Sequence, residues 1–364
     1  MTMKGNRVDD VSIACSNAVS PILLSFAQKG QHSAGYLGKQ ISKIIYKLGA
    51  LYASLLATLV SVLSHGPWGV LLSLGVFGMT GLIILSATFK LGRTIAEKVH
   101  QVICTTDDSG EQRSRFSYGD LQDLPVPVQR YLTYCMPEGQ PRIKYCAIKQ
   151  HGWFRIRENP GLVSTEGWKK VRANQYFSTE EPAYVWDAYI WLAPLVWIRG
   201  WDCYLGGKGE LFWRLFSCFT LVDFGGPEID QSALVRYLSE ACYYPTALLP
   251  SHRLRWTAID DNHAKATLMH AQQKVSGVFE FNSTGQIVSM CSEDRSRQLG
   301  DGSSSQDKWT GYYSNWAERA GIMIPLEMES VWNLISGRFS FARLTVVDYK
   351  CFSRIGRTSM CTRR

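Results

Sequence analysis

The sequence lacks the short motifs that identify most catalytic and metal-binding proteins. It contains no H-E-x-x-H, G-x-S-x-G or G-x-G-x-x-G motif and no complete phosphate-binding loop. Its 10 cysteines include no C-x-x-C pair and no short Cys/His cluster, so the usual zinc patterns are excluded. Ten cysteines in 364 residues are also too few for a disulfide framework, which favours a reducing compartment. We predict neither a metal nor a cofactor.

Charged side chains are scarce as well. They make up 19% of the residues and hydrophobic ones 46%, whereas an average soluble domain is roughly 25% charged. This composition excludes an intrinsically disordered chain. The formal net charge is +8, but the basic residues form no stripe with exposed aromatic residues, so we predict no nucleic-acid partner. The basic residues at the end of the chain form either a solvated tail or a segment attracted to anionic lipid.

The charge gap is longest between Lys47 and Lys90, where 42 consecutive residues carry no Asp, Glu, Lys or Arg. As one helix this segment would be about 63 Å long, twice the thickness of a bilayer core. The sequence Ser64-His65-Gly66-Pro67 interrupts it, so we predict a two-helix transmembrane hairpin with spans 48–64 and 67–89. Lys and Arg flank the outer ends but are absent from the joining loop, which predicts that both ends face the cytoplasm.

The rest of the chain is predicted to be mainly β. Residues 253–292 alternate in polarity between turn sequences, as expected of a meander of four antiparallel strands. Two more strands are predicted at 309–316 and 322–332, with Pro325 placing the second at a sheet edge, and 339–349 forms the last strand. The chain is thus predicted to consist of a poorly structured leader (1–40), the hairpin (41–100), a linker (101–117), a β-rich soluble domain (118–350) and a basic tail (351–364).

Two helices accompany these strands. A short one begins at Pro127, and a second is capped by Asp230 and ends before Pro245. We therefore predict an α+β fold, mainly β, in which a curved antiparallel sheet resembling a half-barrel wraps around a helix. Such sheets often enclose a hydrophobic cavity.

The second helix provides the candidate site. Arg236 and Glu240 are spaced i and i+4 and can pair, either on an exposed helix face or inside the concavity of the sheet near Asp187 and Asp223. In the concavity they would orient an apolar ligand or, with a raised carboxyl pKa, act in acid/base catalysis. The catalytic candidates are Asp187, Asp223, Arg236 and Glu240, and the ligand-binding candidates are Trp186, Asp187, Arg236, Glu240 and Tyr313.

Several separated segments resemble a family of bacterial domains of unknown function. They occur in the family's order at 124–132, 182–188, 236–250, 309–313 and 321–325, and the likeness extends from about Tyr118 to Tyr349. The late strands, with Gly321-Ile322-Met323-Ile324-Pro325, also resemble the half-barrel of lipoprotein-sorting and lipid-carrier proteins. Those carriers begin with a secretory signal, whereas residues 1–40 lack the apolar segment of one, so a role as a periplasmic shuttle is not expected.

Three functions remain open from the sequence. The first is a membrane-anchored domain, on the cytoplasmic side of a two-pass anchor, that binds a lipid or another hydrophobic small molecule. The second is a membrane-tethered biosynthetic enzyme that acts on a hydrophobic metabolite by acid/base chemistry. The third is an assembly protein that presents a sheet edge to a partner.

Overall fold

The computed structural model describes residues 67–104, 115–155, 167–298 and 304–353. The three α-helices in these ranges are α1 (Pro67–Cys104), α2 (Val126–Cys135) and α3 (Pro227–Ser239). The first nine strands are β1 (Tyr145–Arg155), β2 (Trp168–Ser178), β3 (Ala183–Ala193), β4 (Val196–Leu205), β5 (Lys208–Leu215), β6 (Phe219–Phe224), β7 (Leu254–Ala258), β8 (His263–His270) and β9 (Gln273–Phe281). The remaining six are β10 (Ile287–Ser292), β11 (Ser296–Gln298), β12 (Ser304–Gln306), β13 (Lys308–Arg319), β14 (Ile322–Leu334) and β15 (Gly337–Phe352).

Thirteen of these strands form one antiparallel sheet, which confirms the mainly β prediction. The order is β6-β5-β4-β3-β2-β1-β15-β14-β13-β10-β9-β8-β7, and β11 pairs separately with β12. The predicted four-strand meander corresponds to β7–β10. The sheet is not closed, because β6 and β7 end it without pairing with each other.

The sheet is strongly curved around α2 and α3. The Tyr204 hydroxyl on β4 lies 2.8 Å from His270 Nδ1 on β8, although eight strands separate β4 from β8 in the sheet order. Side chains from both halves of the sheet, including Phe177 and Phe279, share one buried core with the two helices. An antiparallel sheet twists and coils, and here the apolar face coils inward over the helices.

Close backbone approach fixes α3 on the sheet. A Cβ added to Gly209 of β5 would lie 2.5 Å from the Ile229 carbonyl oxygen of α3, so only glycine fits there. Asp230 is not the N-cap that the sequence predicted, because the helix begins three residues earlier at Pro227, where proline is favoured. The buried Asp230 carboxylate instead accepts the Gly209 N–H at 2.8 Å and the Lys208 ammonium at 2.9 Å.

The placement of Pro325 at a sheet edge is wrong, because β14 pairs with β13 on one side and β15 on the other. Pro325 lies opposite Trp316 of β13, but the ladder with β15 begins only at Glu327. The missing N–H therefore lies where β14 has already left β15. A central strand accepts proline most easily at such a point, because one of its two sides is unpaired there.

The second predicted span, 67–89, lies in α1, while the first span, 48–64, lies outside the described residues. Within the described ranges, one helix, Val70–Cys104, is long and apolar enough to cross a membrane. The helix does not end near Phe89 but continues to Cys104. Its second half packs Leu91, Ile95 and Val102 onto the convex face of the sheet. This i, i+4 apolar spacing continues the helix beyond the charge gap.

Candidate functional site

The i, i+4 pair at the end of α3 is buried rather than exposed. Arg236 Nε donates to Glu240 Oε1 at 3.1 Å, and Arg236 Nη1 donates to Asp202 Oδ2 of β4 at 2.6 Å. The guanidinium also lies over the rings of Trp186 and Tyr184, at 4.8 and 5.3 Å from their centroids. One arginine thus joins the helix to two strands of the concave face.

Both carboxylates that bind Arg236 accept a further hydrogen bond. Gln175 Nε2 donates to Glu240 Oε2 at 2.5 Å, and the Tyr184 hydroxyl donates to Asp202 Oδ1 at 2.6 Å. Burial raises the pKa of Glu240, although Arg236 and Gln175 act in the opposite direction. For Arg236, the neighbouring Glu240 and Asp202 outweigh burial and raise the pKa, so the guanidinium stays charged.

These charged groups form part of the wall of a cavity of about 180 Å³ between α3 and the concave face of the sheet. Most of the wall is aromatic or aliphatic, and the polar groups are few, as in small-molecule sites. The lining residues are Phe154, Trp186, Ile190, Ile198, Asp202, Leu211, Trp213, Arg236, Glu240, Arg295, Trp309, Met328, Ser330, Phe341, Ala342 and Leu344.

Three of the predicted site residues meet at this cavity, namely Trp186, Arg236 and Glu240. Tyr313 lies nearby but in the packed core, where its hydroxyl donates to the Ser239 carbonyl at 2.6 Å. It therefore holds the end of α3 without lining the cavity.

The predicted proximity of Asp187 and Asp223 to the pair is wrong. Side chains alternate between the faces of a strand, so Asp187 follows Trp186 onto the convex face, where its carboxylate binds Arg199 at 3.2 Å. Burial raises the Asp187 pKa against the opposing effect of Arg199. Asp223 is exposed on the edge strand β6 and is opposite Phe212, a residue packed with the convex-face cluster.

The sequence interpretation missed two charged residues of the cavity, Asp202 and Arg295. Asp202 had a detectable signal, since it is a charged residue on the inward-facing side of an alternating strand, in register with Trp186. Arg295 had none, because it belongs to the polar segment Glu293-Asp294-Arg295-Ser296 after β10, which is typical of a solvated loop. Among the described residues, no group of three His, Cys, Asp or Glu side chains could hold a metal ion.

Comparison with known proteins identifies a family but no activity. The model of the "Family of unknown function (DUF6544)" matches residues 114–344. Among solved structures, the chain is similar to the LolA superfamily protein NE2245 from Nitrosomonas europaea, with 13% identity and a TM-score of 0.32, over 62% of this chain and 91% of that one. No curated protein matches. Since the family model covers more than half of the sequence, as the ordered motifs predicted, the chain belongs to the DUF6544 family of unknown function.

Proposed function

We propose that the protein is a membrane-anchored domain that binds a lipid or another hydrophobic small molecule in the cavity of its curved sheet. The observation that carries this proposal is the cavity itself, an apolar space whose wall holds the buried Arg236–Glu240–Asp202 cluster. Aromatic and aliphatic walls favour an apolar ligand, while a few fixed polar groups orient it. At about 180 Å³, the space is smaller than the roughly 300–1,000 Å³ of drug-sized sites. We therefore expect it to hold a small molecule or one chain of a larger one.

The exposed half of α1 supports the membrane anchor. From Pro67 to Thr88 the helix would be about 33 Å long, close to the thickness of a bilayer core. Its large apolar side chains, such as Trp68, Leu74 and Leu85, are exposed, and exposed apolar surface of this extent is costly in water. The helix is then the second span of the predicted two-pass anchor.

Three β-hairpins turn at the same register end of the sheet. Their tips, at 194–195, 216–218 and 335–336, lie at this end, and we call them the rim. Helix α1 approaches this end, because its Lys98 binds Glu210 far from the rim, whereas its Thr88 carbonyl accepts a hydrogen bond from Arg199, four residues from the tip residue Leu195. The apolar half of α1 therefore leaves the domain on the rim side.

The rim exposes apolar side chains where turns usually carry polar ones or glycine. Leu195 is 88% exposed and Ile335 is fully exposed. Leu195 and Phe216 have φ values of 60° and 53°, which cost energy for bulky residues. Membrane interfaces favour apolar and aromatic tips. Apolar tips at the end of the sheet toward which the apolar half of α1 extends support a rim that touches the bilayer.

For the topology, we propose that both ends and the β-domain lie on the cytoplasmic side. Lys43 and Lys47 precede the first predicted span, and Lys90 and Arg93 follow the second. An excess of Lys and Arg next to the spans favours this orientation.

Co-purification tests the binding function. The full chain is purified from membranes in detergent, washed, and its bound molecules are extracted for mass spectrometry. We expect the purified wild type to carry a hydrophobic molecule in a near-equimolar amount relative to the protein. Ala342→Leu, which adds side-chain volume to the cavity wall, should lose it, while Ala258→Leu, at an exposed position of the edge strand β7, should keep it. A folded wild type that carries nothing would contradict the proposal.

A second candidate is acid/base catalysis on the bound molecule. The observation that favours it is Glu240, a buried carboxyl group of raised pKa in the cavity wall, since catalytic acids and bases are often tuned by burial. Glu240→Gln keeps the shape of the side chain. If it retains the bound molecule but the cellular metabolite profile changes as in a deletion, the enzyme is favoured. If the variant retains the bound molecule and the cellular metabolite profile stays that of the wild type, Glu240 does not act as an acid or base.

A further inference from the structure

The cavity contains a second arginine, Arg295, whose position is fixed on both sides by its backbone neighbours. Asp294 accepts hydrogen bonds from the backbone and hydroxyl of Ser276, at 2.6 and 3.0 Å. Ser296 exchanges two hydrogen bonds with the Ser232 hydroxyl of α3, at 2.9 and 3.3 Å. The segment that carries Arg295 is therefore pinned between β9 and α3, and its side chain enters the cavity wall from a rigid base.

Two arginines and two carboxylates line the cavity, but both carboxylates pair with the same arginine. Asp202 and Glu240 both bind Arg236, and each also accepts a hydrogen bond from Tyr184 or Gln175. Within the described ranges, no carboxylate and no hydrogen-bond acceptor pairs with the Arg295 guanidinium. Asp202 and Glu240 lie close enough to act on Arg295 electrostatically, but its guanidinium donors are left without a hydrogen-bond partner, which is costly in a partly buried group.

The contacts that Arg295 does make leave its hydrogen-bond donors available. The guanidinium lies over the ring of Trp309 at 4.6 Å and over that of Trp332 at 5.7 Å. Stacking uses the flat faces of a guanidinium, whereas its five N–H donors lie in the plane and point outward. Two tryptophans thus hold the group in place while its edge can bind an anion. Carboxylate and phosphate are the anions that match this edge by paired hydrogen bonds.

We propose that the cavity takes a hydrophobic anion, an acyl or alkyl chain that ends in a carboxylate or phosphate, and that Arg295 binds the anionic group. This inference rests on the proposed binding function and specifies its ligand class. The chain lies along the apolar wall formed by residues such as Ile190, Ile198 and Phe341. Arg236 already binds two carboxylates and acts as a fixed part of the wall.

Matched ligands of equal chain length test the proposal on the full chain in nanodiscs. Decanoate, decyl phosphate, decanol and inorganic phosphate are titrated by calorimetry, with empty nanodiscs as the reference. We expect the wild type to bind the two amphiphilic anions about tenfold or more tightly than decanol, as charge-assisted hydrogen bonds predict. Arg295→Gln should remove this preference without changing the affinity for decanol. Arg255→Gln, at an exposed position of β7, should leave every affinity unchanged.

The outcomes separate this inference from the proposed function. Equal affinity for decanol and decanoate in the wild type, or an unchanged preference in Arg295→Gln, would overturn the anion site while the binding function stands. Inorganic phosphate binding as tightly as decyl phosphate would also overturn it, since the site would then recognise a free anion. Binding of none of the four probes, together with an empty protein after purification, would instead overturn the proposed function.

Discussion

At the scale of single residues, His270 holds the two halves of the curved sheet together. One ring nitrogen lies 2.8 Å from the Tyr204 hydroxyl on β4 and the other 3.0 Å from Glu181 after β2. Burial lowers the His270 pKa, although Glu181 acts in the opposite direction. The folded protein therefore favours the neutral imidazole, while the unfolded chain binds a proton near the ordinary pKa of about 6.5.

This difference predicts how stability depends on pH. Below about pH 6.5, the unfolded state holds a proton at His270 that the folded state excludes, so the free energy of unfolding should fall as the pH drops and level off above that value. His270→Gln removes the titrating group. Denaturant unfolding between pH 5 and 8 should give a smaller slope for the variant than for the wild type. Equal slopes for the variant and the wild type would contradict a lowered pKa of His270 in the folded protein.

Single residues also show what a sequence can and cannot indicate. The i, i+4 spacing of Arg236 and Glu240 predicted their pairing, because a helix brings such positions together regardless of what surrounds it. Whether the pair was exposed or buried remained open, since that depends on strands far away in the sequence. Arg295 could not be predicted, because its cavity position depends on backbone contacts with β9 and α3 rather than on local pattern.

At the scale of elements, α1 joins an apolar segment to a helix that packs on the sheet. The predicted second span ended where charged residues begin, but Leu91 and Ile95 continue an apolar stripe through that charged region. The lack of charged residues identified the exposed first half of α1. Only the periodic spacing of apolar residues could have identified the second half, which packs on the sheet. The strands β7–β10 were easier to predict, because polar turn sequences separate alternating runs at short, regular intervals.

The contact between α1 and the sheet depends on an ion pair that is nearly buried. Asp187 and Arg199 are each 11% exposed, and Arg199 also donates to the Thr88 carbonyl of α1 at 3.4 Å. Asp187→Asn leaves this guanidinium without its counter-charge, but it also relieves the burial of a charged carboxylate that raises the Asp187 pKa, so we expect the free energy of unfolding to fall by about 2 kcal/mol. Bound ligand should be unaffected, because Asp187 faces away from the cavity. Chemical denaturation and extraction of bound molecules measure the two effects.

The matched control is Asp348→Asn on the same convex face. Asp348 pairs with Lys149 at 3.2 Å, but both side chains are well exposed, and such pairs contribute less than about 1 kcal/mol. If Asp187→Asn instead kept full stability and lost the bound molecule, Asp187 would belong to the binding site, as the sequence first suggested.

At the scale of the whole molecule, the curvature of the sheet lets one interior hold both the packed core and the cavity. Near β8 and β4 the concave face is filled by α2, α3 and aromatic side chains. Toward the rim a second cluster, including Val171, Ile190 and Leu215, covers the concave face. The mainly β, antiparallel form followed from strand patterns, but the position of the cavity depends on where the helices end along the sheet, which local patterns do not specify.

The orientation of the molecule on a bilayer provides the last prediction. If the rim touches lipid, a benzoylphenylalanine that replaces Leu195 or Ile335 in the full chain should crosslink to phospholipid in nanodiscs upon illumination. The same residue in place of Ser283, which is exposed on the β9–β10 turn at the opposite end of the sheet, should not. Leu195→Lys should leave α1 inserted but increase the exposure of the neighbouring rim to protease. Efficient lipid crosslinks at 283 with none at 195 or 335 would invert the orientation, and the cavity would then face away from the bilayer.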